Sequence, residues 1–155
     1  MKYSFLILWI AFSVYPNISK AQDKNQLSNA KNGLGIKGHD PVAYFNDQSK
    51  KGSSKLVSKH KGVVYHFISQ SNKQLFDTNP DAYIPQYGGW CAYAMGNDGT
   101  KVDIDPHTYK LVDGKLYLFY NKFFTNTLDY WNDDEQNLMK KADENWAIVS
   151  KLDDR

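Results

Sequence analysis

Apolar and polar residues alternate in two places along the chain, and apolar residues recur at helical spacing near its end. Val63, Tyr65 and Phe67 share one side of a period-two run, with Val64, His66 and Ile68 on the other. Lys55 to His60 precede this run across Lys61-Gly62, so the segment predicts a hairpin. Leu111, Leu116, Leu118 and Tyr120 supply a second alternation over Thr108 to Val112 and Lys115 to Tyr120. Between them stands Asp113-Gly114, the best hairpin turn in the chain. Leu138, Ala142, Trp146 and Val149 line one face of a C-terminal helix, and Asp133-Asp134-Glu135 suit the dipole at its start.

Shorter elements lie between these. Asp40 can cap a short helix over Pro41 to Phe45, with Pro41 at the first helical position. Ser69 or Ser71 can cap a helix to about Asp77, with Leu75 and Phe76 facing inward. Pro80 starts another turn of helix through Tyr83, and Pro85 ends it. Gly88-Gly89 open a short helix from about Trp90 to Met95, and Gly96-Asn97-Asp98-Gly99 turn the chain. The sequence shows no internal repeat, no low-complexity tract and no second domain. The pattern is that of an α+β protein, a small antiparallel sheet or hairpins covered by helices.

The apolar run Tyr3 to Tyr15 follows Lys2, and Ser19-Lys20-Ala21 offers small residues where a signal peptidase cuts. Residues 1–21 therefore read as a signal peptide, and the protein as periplasmic or secreted. An uncleaved anchor is the alternative, although the run is short for one. Residues 22–37 read as a flexible lead-in, being polar over 22–33, and 38–152 as one domain. Without Lys2 and Lys20 the chain holds 17 basic and 17 acidic residues. Nothing there forms a basic stripe, which argues against nucleic acid as a partner.

Cys91 is the single cysteine of the chain. In an exported protein it cannot close an internal disulfide. It is buried filler, a metal ligand, a reactive thiol or an intermolecular link, and the local sequence leaves all four open. At a helix start, free N–H groups and the dipole would favour its thiolate. Met95 lies four residues on, and a thiolate with a thioether is a soft pair suited to copper(I). His39, His60, His66 and His107 are the only imidazoles. His39 and His107 sit on loops, where functional residues concentrate. No closely spaced ligand pair of the Cys-x-x-Cys kind accompanies them. Tyr87, Trp90 and Tyr93 could line an aromatic pocket.

Several motifs in order resemble one family. They are Gly38-His39-Asp40-Pro41-Val42-Ala43-Tyr44-Phe45, then Val64-Tyr65-His66-Phe67, then Leu75-Phe76 with Pro80 and Tyr83, then Pro85 to Ala94. Together they resemble the YHS domain family, in its exported single-domain bacterial branch. The resemblance implies a small α+β module often associated with metal handling. Metal-associated relatives carry cysteines where this chain has Ala43 and Ile68, so a multi-cysteine site does not transfer. What remains implied is a copper or zinc site anchored by Cys91, with Met95, His39, Asp40 or His107 as partners. A small-ligand module, a thiol redox protein or enzyme using Cys91, and a non-catalytic interaction module are the other readings.

Overall fold

The computed structural model describes residues 27–152; the expected signal peptide lies outside them. The fold is α+β and built from antiparallel hairpins. Strands β1 (Ser53–His60) and β2 (Val63–Phe67) pair, as do β3 (Asp105–Val112) and β4 (Lys115–Phe119) and the short β5 (Asn121–Lys122) and β6 (Thr125–Asn126). The helices are α1 (Gln70–Thr78), α2 (Ala92–Asn97), α3 (Thr127–Asp133) and α4 (Glu135–Leu152).

These elements fall into two copies of one unit. Each begins with a left-handed turn, Gly35–Gly38 or Gln86–Gly89, in which Ile36, Lys37 and Gly38 match Tyr87, Gly88 and Gly89 at positive φ. The N–H of His39 closes the first turn on the Ile36 carbonyl, and that of Trp90 closes the second on Tyr87. A short helical segment follows, Ala43–Asn46 or α2. Gln48 N–H then bonds the Ala43 carbonyl, as Gly99 N–H bonds Ala94. A hairpin comes next with the same irregularity in both: Ser53 pairs Phe67 and Val57 pairs His66, while Asp105 pairs Phe119 and Tyr109 pairs Leu118. The turns Lys61-Gly62 and Asp113-Gly114 both take positive φ. Leu34 bridges Val64 as Pro85 bridges Leu116. A capped helix closes each unit, α1 capped by Ser69 and α3 by Asn126.

The repetition extends to the core. Tyr65 and Phe67 pack their rings on Phe76 of α1, with centroids 5.0 and 5.1 Å apart. Tyr117 and Phe119 pack on Trp131 of α3 at 5.8 and 5.5 Å. Strand β2 buries one face only, but β4 buries both. Leu116 and Leu118 face the first cluster while Tyr117 and Phe119 face the second, so β4 joins the two halves. Helix α4 has no counterpart in the first unit. It lies on α2, where the Gly96 backbone meets the Leu138 carbonyl closely enough that a Cβ would stand 2.4 Å away.

Four expectations are corrected. The chain repeats one unit although its sequence shows no repeat, because what recurs is backbone geometry. Leu75 faces solvent at 48% exposure, because only Phe76 points back onto β2. The helix expected from Trp90 begins at Ala92, since the left-handed turn holds the chain out of helix through Gly89 and Cys91 takes the capping position. The described part of the expected lead-in is held in place. Asn29 N–H bonds the Gly88 carbonyl at 2.8 Å, Ala30 and Ile36 are buried, and Lys37 pairs with Asp103 at 2.8 Å. Its polar side chains find partners inside the fold, which composition alone does not reveal.

Candidate functional site

Cys91 is fully buried. Its own N–H donates to the Val102 carbonyl at 2.9 Å, so it is not a free donor at a helix start. The sulfur accepts the Tyr120 N–H at 3.4 Å and lies 3.3 Å from the Thr127 hydroxyl. That hydroxyl has one proton, and it goes to the Tyr120 carbonyl at 2.9 Å. The thiol S–H therefore donates to Thr127 Oγ1. The network engages both the donor and the acceptor capacity of the Cys91 side chain.

Met95 is fully buried among Tyr117, Phe119, Trp131, Leu138 and Ala142, whereas Cys91 belongs to the other cluster. The packing thus assigns the two sulfurs to different halves of the core. Asp40 is also fully buried. One oxygen accepts the N–H groups of Val42 at 2.8 Å and Ala43 at 3.2 Å; the other accepts the Ile68 N–H and the Asn72 amide, both at 2.8 Å. Asp40 bonds these N–H groups, but the short helix runs over Ala43–Asn46 with Val42 in the capping position, not over Pro41 to Phe45 as expected; the same carboxylate also ties the end of β2 to α1.

His39 and His107 are brought together, with ring centroids 5.1 Å apart and the rings nearly perpendicular at 88°. The left-handed turn delivers His39, and the first residues of β3 deliver His107. His39 Nδ1 lies 3.2 Å from the Ile36 carbonyl, an acceptor that makes Nδ1–H the donor and leaves Nε2 with its lone pair. Burial lowers the His39 pKa, the Ile36 bond opposes this, and His107 and Lys51 reinforce it. The imidazole is neutral at physiological pH. Among the described residues no group of three or more His, Cys, Asp or Glu side chains is placed to hold a metal ion.

Tyr87, Trp90 and Tyr93 have different neighbours. Tyr93 packs on Tyr130 at 5.6 Å. The Trp90 indole N–H is buried without a partner among the described residues. Tyr87 donates its hydroxyl to Asp143 at 2.9 Å and meets Trp146 at 6.4 Å. This last pair opens onto a groove of about 350 Å³ at the junction of the two units. Ile84, Pro85, Tyr87 and Trp146 give it apolar walls. Lys61 and Asp81, paired at 2.6 Å, stand at its rim, and His60 adds a second contact to Asp81 at 3.0 Å. Hydrogen bonds from Lys61 and His60 hold the Asp81 carboxyl below its usual range. The sequence does not single out Lys61 and Asp81, because one sits in a hairpin turn, the other in the short helix Pro80–Ala82, and no motif joins them.

No family model, curated protein or solved structure matches the chain. Among the described residues no helix is long and apolar enough to cross a membrane.

Proposed function

We propose that this is an exported, non-catalytic module of YHS type that binds a small organic ligand in the groove beside Tyr87 and Trp146. The observation that carries the reading is the groove itself. Its volume of about 350 Å³ falls within the range of small-molecule sites, and it lies at a junction between structural units, where such sites concentrate. An apolar or aromatic body would rest against Trp146, Ile84 and Pro85. A charged end would exchange with the Lys61–Asp81 pair, which is exposed and so costs little to rearrange. The apolar start of the chain supports export. Native mass spectrometry of the protein from its own host tests the proposal. A retained mass that is lost in Trp146→Ala and weakened in Lys61→Ala, both still folded by circular dichroism, is the expected result. Retention unchanged in both variants would move the ligand elsewhere.

The His39–His107 contact favours a second reading, a copper or zinc site. A ligating histidine commonly donates its other ring nitrogen to a carbonyl, as His39 does to Ile36. Neutral imidazoles suit zinc and copper(II) rather than the copper(I) that Cys91 and Met95 would favour. Two protein ligands would leave positions for water or a small anion. Zinc titration followed calorimetrically, with His39→Gln and His107→Gln, checks it: both variants should lose the heat, whereas Cys91→Ser should keep it.

A further inference from the structure

The β5–β6 hairpin breaks the repeat. In the first unit the chain passes from Phe67 through Ile68 directly to the Ser69 cap of α1. In the second, five residues, Asn121 to Thr125, are interposed before the Asn126 cap of α3. The tip of this insertion is Phe123-Phe124. Both side chains stand free in solvent, at 94% and 103% exposure. Phe123 also takes φ 56°, a left-handed conformation that glycine or asparagine adopts without difficulty and an aromatic residue does not. Neither ring contributes to a core cluster. Lys122 at the base of the tip is exposed and forms no ion pair among the described residues.

We propose that the β5–β6 tip is a membrane-seating wedge: Phe123 and Phe124 enter the boundary between headgroups and acyl chains of a bilayer, and Lys122 pairs with lipid phosphates. Size and shape select this partner. Two phenylalanines bury on the order of 300–500 Å² together, below the roughly 800 Å² per partner that a stable protein interface needs. A narrow convex tip needs no matching cleft in a bilayer, because lipid closes around it. The apolar run Tyr3 to Tyr15 is expected to bring the chain to a membrane, as an export signal or as an anchor. Two rings and one cation give reversible contact rather than permanent anchorage, so the wedge orients the domain on the surface.

The full chain carrying Thr125→Cys, labelled with a fluorophore sensitive to polarity, tests this; buried Cys91 should leave the new thiol as the one that reacts. Phosphatidylethanolamine–phosphatidylglycerol vesicles should shift the emission to the blue. The shift should be lost in Phe123→Asn/Phe124→Asn and reduced in Lys122→Gln. A label at Lys59→Cys on β1 should stay unshifted, which separates tip insertion from adsorption through the N-terminal run. No shift at position 125, or an equal shift in the double Asn variant, would overturn the proposal. So would a shift caused by lipid-free host protein and not by vesicles, which would assign the tip to a protein cleft.

Discussion

Asp40 and Cys91 stand at the same point of the two units and do the same work. Each accepts the backbone N–H of the residue just beyond its hairpin, Ile68 onto Asp40 at 2.8 Å and Tyr120 onto Cys91 at 3.4 Å. Each also donates its own N–H to a carbonyl leading into that hairpin, Lys50 or Val102, at 2.9 Å. The side chain at this point fastens the turn to the hairpin. A carboxylate does so in the first unit by collecting four donors, and a thiol does so in the second by joining Tyr120 to Thr127. The equivalence gives Cys91 a structural reason to be where it is.

Asp40→Ala should therefore cost more than Cys91→Ala. The first leaves four donors around a buried site without their charged acceptor, a loss on the order of 3 kcal/mol or more. The second removes a weak sulfur acceptor and a small volume, about 1–2 kcal/mol. Urea denaturation should show both as shifts in midpoint at an unchanged slope. Equal shifts would argue against the assigned roles.

The Cys91 thiol should be inert in the folded protein. Its sulfur is enclosed and its proton is committed to Thr127. Alkylation by iodoacetamide should track global unfolding across a urea series rather than proceed under native conditions. Rapid native alkylation would revive a thiol-based function.

Local chemistry made much of this fold legible. Asp113-Gly114 and Lys61-Gly62 mark two hairpins because their φ values require turn residues. Ser69 marks the start of α1 because its hydroxyl accepts the Asn72 N–H. The repeat stayed hidden because what recurs is backbone geometry. Gly38 and Gly89, Tyr65 and Tyr117, and Phe67 and Phe119 keep their identity, but the fastening residue is aspartate in one unit and cysteine in the other. The β5–β6 insertion then shifts the spacing. The groove was hidden for a related reason. Lys61, Asp81 and Trp146 meet only because the second unit folds back onto the first. Cys91 stands out in the sequence as the single cysteine, whereas its hydrogen bonds account for it as part of the core.

Gly96 permits the approach of α2 to α4. A methyl group there would lie 2.4 Å from the Leu138 carbonyl oxygen, a contact that only movement of backbone can relieve. Gly96→Ala should destabilise the protein by about 1–3 kcal/mol despite raising helix propensity. Thermal unfolding by circular dichroism measures this. A neutral or stabilising result would mean that α4 is free to move away.

His39 should make stability depend on mild acid. Burial lowers its folded-state pKa beneath the unfolded value near 6.5, so the unfolded chain takes up a proton more readily. Stability from this group is then complete above about pH 6.5 and declines as pH falls toward the folded pKa. His107 and Lys51 strengthen the trend, while Asp105 and the Ile36 carbonyl moderate it. Denaturation between pH 7 and pH 5 should show a decline that flattens in His39→Gln. A decline of the same slope in that variant would assign it to other groups.

Phe123 sets the turn against its own side chain. At φ 56° an L-residue with a bulky Cβ substituent is strained, and exposure denies Phe123 any packing energy in return. Asparagine tolerates this conformation and hydrogen-bonds locally. Phe123→Asn should therefore raise stability by about 0.5–1 kcal/mol, a direction opposite to that of most aromatic deletions. Chemical denaturation of the isolated variant reads this without any partner present. A gain in stability would show that the fold does not call for phenylalanine there, and that the residue is held against the turn's preference by something outside the folded chain. A loss of stability would mean that the ring packs in solution against residues other than those of the two core clusters, and that the tip belongs to the fold after all.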